Sequence, residues 1–326
     1  MRWWPGLRRT DGALLTVLPA LVATSVAAGD LAFVTNQSSS DLSVLDLDKR
    51  SETARIPVPG QPAGVAVSAD RGWVFTVSPE TKTLRKFDLA TGAELNATVL
   101  DGGPIGIALA PDGGRVFVSD WYNARIWVLD AAAMTVETML TTGSAPAGLV
   151  VAPDGSWLAS ADRDADQVSV FDLASLTLRH AIPVGTRPFG LAVAPDGRLF
   201  SADVGSNTVT VADPVSGAVL ASIGVGERPY GIAFAQGAGF VTNQYADTVS
   251  VFDLDDLSVS ATIAVGEYPE GIDVTSDGGM VVVANWFSNT VSLIDAKTRT
   301  VSGEIATGDG PRAFGRFIAP ADGRTE

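Results

Sequence analysis

The chain has 326 residues, with 37 acidic against 22 basic side chains, a formal net charge of −15, no cysteine and one histidine. Without cysteine there are no disulfides, thiolate metal sites, covalent c-type haem or cysteine nucleophiles, and a lone imidazole cannot supply the paired ligands of a copper or haem centre. The acidity and the lack of a basic run argue against duplex nucleic acid as a partner, because that binding rests on cationic contacts to phosphate.

In chain order, residues 1–28 read as a cleaved secretory signal: Arg2, Arg8 and Arg9 precede an apolar run from Ala13 to Val26 that closes on small residues. The run is short and interrupted by Pro19, so no transmembrane segment is expected in the mature chain. Arg8-Arg9 leaves both the Sec and the twin-arginine route open. The expected location is the periplasm, the cell surface or the medium. An exported chain without crosslinks relies on its core, and residues 29–320 are enough to bury a large one; 321–326 form a polar tail.

From residue 29 onwards the sequence repeats. Proline followed two residues later by glycine recurs at Pro62/Gly64, Pro104/Gly106, Pro146/Gly148, Pro188/Gly190, Pro229/Gly231 and Pro269/Gly271, with a stretched seventh copy at Pro311. An aspartate ending an alternating apolar run recurs at Asp46, Asp88, Asp130, Asp172, Asp213, Asp253 and Asp295. Both markers show the same spacings, 42, 42, 42, 41, 40 and 42, which excludes coincidence. Periods of this length mark propellers and solenoids.

The copy beginning at Pro188 shows the pattern inside one period. Gly190 to Ala194 predicts a first strand, Pro195-Asp196-Gly197 a hairpin turn, and Leu199 to Ala202 a second strand. A polar loop from Asp203 leads to a third strand ending at Asp213, and Ser216-Gly217 turns into a fourth over Ala218 to Val225. Short strands of period two with frequent turns are the all-β signal. Four strands cannot bury both faces of their sheet, whereas radial stacking does so and leaves only short edges. The expected fold is therefore a seven-bladed β-propeller of four-stranded antiparallel blades. The seventh copy stops after one strand, and Leu31 to Gly60 supplies a second, third and fourth. Phe314–Ala319 is thus expected to pair with Leu31–Thr35 in one shared blade.

The units Val241-Thr242-Asn243, Val283-Ala284-Asn285 and Phe33-Val34-Thr35-Asn36, each followed by a loop and a Thr-Val-Ser-Val-x-Asp-like run, resemble the YVTN repeat of YncE-like and surface-layer propellers, as do endings such as Ala261-Thr262-Ile263-Ala264-Val265-Gly266. The resemblance spans the mature chain. It implies an exported protein with a binding or scaffold role. The same fold class holds lactonases and subunits beside quinoprotein dehydrogenases, so fold alone does not choose a reaction.

A feature present in all seven copies is scaffold, so a site must be made by what differs between copies. His180 falls on a fourth strand, expected at the outer rim, away from any converging loops. Asp162, Asp164 and Asp166 alternate as in calcium loops, but Asp162 and Asp166 fall where other copies carry turn-capping residues, which leaves calcium a weak candidate and no other cofactor predicted. The loops between second and third strands contribute Trp121, Tyr122, Asn243, Tyr245, Asn285, Trp286 and Phe287, and the Pro-x-Gly corners contribute Arg187, Phe189, Arg228, Tyr230, Glu270 and Arg312, with Tyr268 beside them. These aromatics and arginines are expected on one face. Such a surface suits stacking on a glycan, a small molecule, a peptide or a partner protein; the other reading is that the aromatics plug the channel. Glu227, Glu267 and Glu270 are close enough in sequence to form a carboxylate pair for acid–base work, or to balance the arginines. The expectation is a monomeric, non-catalytic binding or scaffold propeller. Its alternative is a lactonase-like hydrolase or an accessory protein of a periplasmic quinoprotein dehydrogenase.

Overall fold

The computed structural model describes residues 1–2 and 29–320; the remainder of the expected signal, and the tail 321–326, lie outside the described residues. Seven four-stranded antiparallel sheets make a seven-bladed propeller. The fifth blade runs Pro188–Val193, Leu199–Asp203, Thr208–Asp213 and Ala218–Gly224, close to the sequence expectation. Its first strand starts earlier, at Pro188, because Pro188 pairs with Asp203 across a register shift before Leu191 pairs with Ser201. The irregular stretch contains the repeat glycine.

That glycine is explained by the crowding of inner strands near the axis. A Cβ on Gly190 would lie 2.2 Å from the Tyr230 carbonyl oxygen of the next blade, and one on Gly148 would lie 2.3 Å from that of Phe189. Only a residue without a side chain lets each blade admit its neighbour's Pro-x-Gly corner. The seven aspartates close the third-to-fourth-strand turns: Asp46, Asp88, Asp130, Asp172, Asp213, Asp253 and Asp295 each accept a backbone N–H two or three residues on, from Lys49, Thr91, Ala133, Ser175, Val215, Asp255 and Thr298. They are Asx turns, repeated with the fold.

Burial follows position within a blade. In the fourth blade the second strand, Trp157–Asp162, is buried throughout, the third, Gln167–Asp172, is buried over its middle four residues, and the fourth, Thr177–Pro183, is largely exposed. Apolar clusters lie between neighbouring sheets: Phe75, Leu84, Val116 and Trp127 join the second and third blades, and Phe240, Val251, Val281 and Ile294 join the sixth and seventh. The core is thus a ring of inter-blade seams.

The circle closes in a composite sheet in which Ile318–Pro320 lies beside Asp30–Asn36, followed by Asp41–Asp46 and Ser51–Pro57. Leu31 pairs with Ala319 and Ala32 with Ile318. The expected closing strand is shorter at its start, because Phe314 leaves the sheet, bridges to Gly64 of the second blade and sends its ring towards the axis. Asp273 fastens the segment by accepting the N–H groups of Phe317, at 2.8 Å, and Ile318, at 3.0 Å. Among the described residues no helix is long and apolar enough to cross a membrane.

Candidate functional site: a funnel over the channel

Two repeat positions converge near the axis. The middle residue of each Pro-x-Gly corner runs Ala63, Ile105, Ala147, Phe189, Tyr230, Glu270 and Arg312, and the residue after each second strand runs Gln37, Pro79, Trp121, Arg163, Val204, Gln244 and Trp286. Large side chains at these positions line a funnel of about 480 Å³, together with Arg228, Tyr268 and Phe287. The second to fourth blades contribute small or apolar corners, Ala63, Ile105 and Ala147, so the funnel is lopsided towards the fifth to seventh blades and the closing corner at Arg312.

Its floor is an aromatic plug. Phe189 packs 4.3 Å from Tyr230 and 4.9 Å from Phe314, centroid to centroid, and Trp121 leans on Phe189 at 6.2 Å. Phe189, Tyr230 and Phe314 are buried. Beside them lies a polar network. Arg312 donates through Nη2 to the Tyr230 hydroxyl at 2.5 Å and through Nη1 to Gln37 Oε1 at 3.3 Å. Its Nε stands 3.0 Å from Glu270 Oε2, yet that oxygen receives no well-directed hydrogen bond; the contact is a charge pair rather than a bidentate fork. Gln244 Nε2 donates to Glu270 Oε1 at 2.7 Å, and Arg228 Nε donates to Gln244 Oε1 at 3.2 Å.

Burial pushes the Glu270 carboxyl above its ordinary range; Arg312 and Gln244 oppose this without reversing it. Burial likewise raises the Tyr230 phenol, against the pull of Arg312. Burial works against the Arg312 charge, but Glu270 and Tyr230 outweigh it and hold the guanidinium protonated. The floor is therefore a fixed set of dipoles beneath a more open rim. At that rim Arg163 lies 5.4 Å over the Trp121 ring while pairing with Asp164, and Arg228 lies 4.3 Å over Tyr245.

Of the residues singled out in the sequence, Trp121, Phe189, Arg228, Tyr230, Glu270, Trp286, Phe287 and Arg312 come together in the funnel. Tyr245 lines an adjoining groove instead. Tyr122 is exposed, with its ring against Gly103, and Arg187 is exposed. Asn243 and Asn285 are buried with their amides turned into the sheets, donating to Thr248 and Ser250 and to Thr290 and Ser292. They fasten loops rather than face the funnel. Glu227 and Glu267 lie at the groove, separate from Glu270. Gln37, Arg163, Val204 and Gln244 went unnoticed in the sequence because each is unremarkable alone. Their signal was the register they share with Trp121 and Trp286. Phe314 had none, since its corner departs from the repeat.

The three aspartates of the 162–166 loop do not converge. Asp162 is buried and accepts from Ser160, Ser169, Gln167 and the Gly143 N–H; Asp164 pairs with Arg163; Asp166 accepts the Arg187 N–H. Among the described residues no three His, Cys, Asp or Glu side chains are grouped to hold a metal ion. His180 lies on the outer strand of its blade, with Nε2 2.9 Å from the Val215 carbonyl oxygen.

The profile of the Lactonase, 7-bladed beta-propeller family matches residues 73–181, which span the second to fourth blades. The fold has solved counterparts. A functionally unknown protein from Desulfotomaculum acetoxidans DSM 771 is 16% identical with a TM-score of 0.76, covering 89% of this chain and 98% of its own. Kuenenia stuttgartiensis hydrazine synthase is 20% identical with a TM-score of 0.74, covering 86% and 99%. The dihydro-heme d1 dehydrogenase NirN, solved in complex with DHE, is 15% identical with a TM-score of 0.70, covering 94% and 78%. At such identities the likeness is one of architecture. No curated protein matches the chain.

Proposed function

We propose that this chain is an exported propeller of the YVTN type that binds a ligand in the funnel and serves as a binding or scaffold component in the periplasm or at the cell surface. One observation carries the reading. The scaffold positions repeat around the circle, whereas the two converging positions differ from blade to blade and gather Trp121, Trp286, Arg163 and Arg312, with Arg228 beside them, around a hollow of about 480 Å³. The lining mixes aromatic rings with Arg163, Arg228, Gln244, Glu270 and Arg312, and a hollow of this size is within the usual range of a small-molecule site. Aromatic faces backed by guanidinium groups suit a sugar, a flat ring or a peptide side chain. The test is capture. Glycan and peptide arrays, followed by intrinsic fluorescence titration of any hit, should give binding that Trp121→Ala combined with Trp286→Ala abolishes. Capture that survives both substitutions removes the funnel from consideration.

A second reading, a lactonase-like hydrolase, draws on the family profile over residues 73–181 and on Glu270, a carboxyl with a raised pKa beside Arg312 in the funnel floor. In that reading Glu270 takes the proton of water adding to a lactone carbonyl and returns it to the ring oxygen as the acyl C–O bond breaks, which leaves the hydroxy acid. Hydrolysis of a lactone panel, followed by acid release and lost in Glu270→Gln, would favour it over binding alone. An accessory role beside a redox enzyme draws only on the architecture shared with the hydrazine synthase and NirN chains.

A further inference from the structure

We propose that a groove beside the funnel, between the corners of the sixth and seventh blades, binds an organic ammonium ion. The groove encloses about 500 Å³ and shares Gln244, Tyr268 and Phe287 with the funnel wall, but its own lining carries Glu227, Asp247 and Glu267 and no basic side chain.

The arrangement arises from a repeat rule broken in two neighbouring copies. In these blades the residue two positions past the second strand donates its backbone N–H to the carbonyl of the residue two before the proline of the same blade's inner strand. The bonds are Tyr245 to Glu227, at 3.2 Å, and Phe287 to Glu267, at 3.2 Å. The same bond joins Gly205 to Thr186 and Asp164 to Ser144 in the preceding blades. It sets an exposed aromatic beside a glutamate only in the sixth and seventh copies. Two acid–aromatic couples on adjacent blades thus face one hollow.

The carboxylates are available. Among the described residues, neither the Glu227 nor the Glu267 side chain takes part in a hydrogen bond or ion pair. Asp247 spends one oxygen on the Tyr268 N–H, at 2.8 Å. Ring surface is available at Phe287, 58% exposed, beside Tyr268 at 4.9 Å, while Tyr245, 51% exposed and 5.6 Å from Tyr268, closes the other side. Tyr245 already carries a cation of the chain itself, the Arg228 guanidinium.

Ring faces are negative, and with unpaired carboxylates nearby they attract a positive charge. The ion's kind follows from what is missing. Hard metal ions need several oxygens converging on one point, and the carboxylates here are not grouped that way. A hollow of this size walled by aromatics suits a bulky, weakly hydrated cation, a quaternary ammonium above all. The proposal goes beyond ligand capture in the funnel and stands without it, since Glu227 and Glu267 do not line the funnel.

Titration of the purified protein with tetramethylammonium chloride, followed by calorimetry against sodium chloride at matched ionic strength, tests it. Saturable heat is expected from tetramethylammonium alone. The double substitution Glu227→Gln with Glu267→Gln should weaken it roughly five- to twentyfold, the sum of two exposed charge contacts and their support of the ring faces. Phe287→Ala should weaken it as well. Tyr122→Ala, which removes a still more exposed aromatic whose corner carries Gly102 instead of a glutamate, should leave it unchanged. Heat no different from that of sodium, or a double variant that binds as well as the parent, overturns the proposal. So does loss of binding in Trp121→Ala, which would place the ion in the funnel.

Discussion

Replacing Asp203 by asparagine should stabilise the protein at neutral pH. Asp203 ends the second strand of the fifth blade, buried, and burial raises its carboxyl from 3.8 to about 6 even though Thr210, Ser201 and Thr208 hydroxyls donate to it. A folded-state value above the unfolded one means that the proton is held more tightly in the fold. The stabilisation is complete below about pH 3.8 and is lost as pH rises through about 6. Two units at about 1.4 kcal/mol each make the ionised form roughly 3 kcal/mol worse than the protonated one at pH 7.5. An amide avoids this. The first, sixth and seventh blades already carry Asn36, Asn243 and Asn285 at this position, each donating to the hydroxyl seven residues on. Part of the gain goes to rearranging the hydroxyls, so about 1–3 kcal/mol should remain, read as a higher urea midpoint at pH 7.5. The advantage should shrink as pH falls towards 4. Asp120, at the same position in the third blade, should behave oppositely. Burial pushes its carboxyl up, but the Gly103 N–H, Asn123 and Arg125 outweigh that and hold it low. Asp120→Asn strips a partner from Arg125 and should cost about 1–3 kcal/mol. If both variants shift stability in the same direction, or if the Asp203→Asn gain ignores pH, the account of this buried position is wrong.

Gly190→Ala should destabilise by about 1–3 kcal/mol, because the added carbon meets the Tyr230 backbone rather than a movable side chain; a thermal melt unchanged from the parent would contradict the crowding. Arg187 has φ near 56° just before a proline, and the first-blade equivalent is Gly310. Arg187→Gly should therefore raise stability by up to about 1 kcal/mol in the same assay. Arg228→Gly relieves the same backbone conformation but should also remove the cation from Tyr245 and weaken funnel binding, so stability and capture should move in opposite directions. Millimolar calcium should leave the melting temperature unchanged, since each aspartate of the 162–166 loop is already committed to a donor. A rise that Asp164→Ala abolishes would show otherwise.

The blades were legible because each repeat states its own physics. Alternating apolar residues, a turn-closing aspartate and a Pro-x-Gly corner are local signals, and seven copies average out the noise in any one. Closure was legible as arithmetic, from a copy short of three strands and a start that supplies them. The funnel was half legible. Trp121 and Trp286 announce themselves by size, whereas Gln244 and Arg163 acquire meaning only from where the circle places them. Whether an aromatic plugs or lines the channel depends on distances across the axis, which no period along the chain contains; Phe189 and Tyr230 plug it, while Trp286 and Phe287 stay open. The Glu270–Arg312 pair joins the irregular seventh corner to the regular one just before it, across the seam where the ring closes.

The segment from Arg312 to Pro320 does more than complete a sheet. It delivers the guanidinium and the central phenyl ring of the funnel, and it is also the catch of the bracelet, held by Asp273. Until Ile318–Pro320 pairs with Asp30–Asn36, blades two to seven form an open arc with an apolar flank at each end and no finished funnel. Competence to bind is in this way tied to closure of the ring: without residues 312–320 the latch is lost together with the guanidinium and the phenyl ring of the funnel floor.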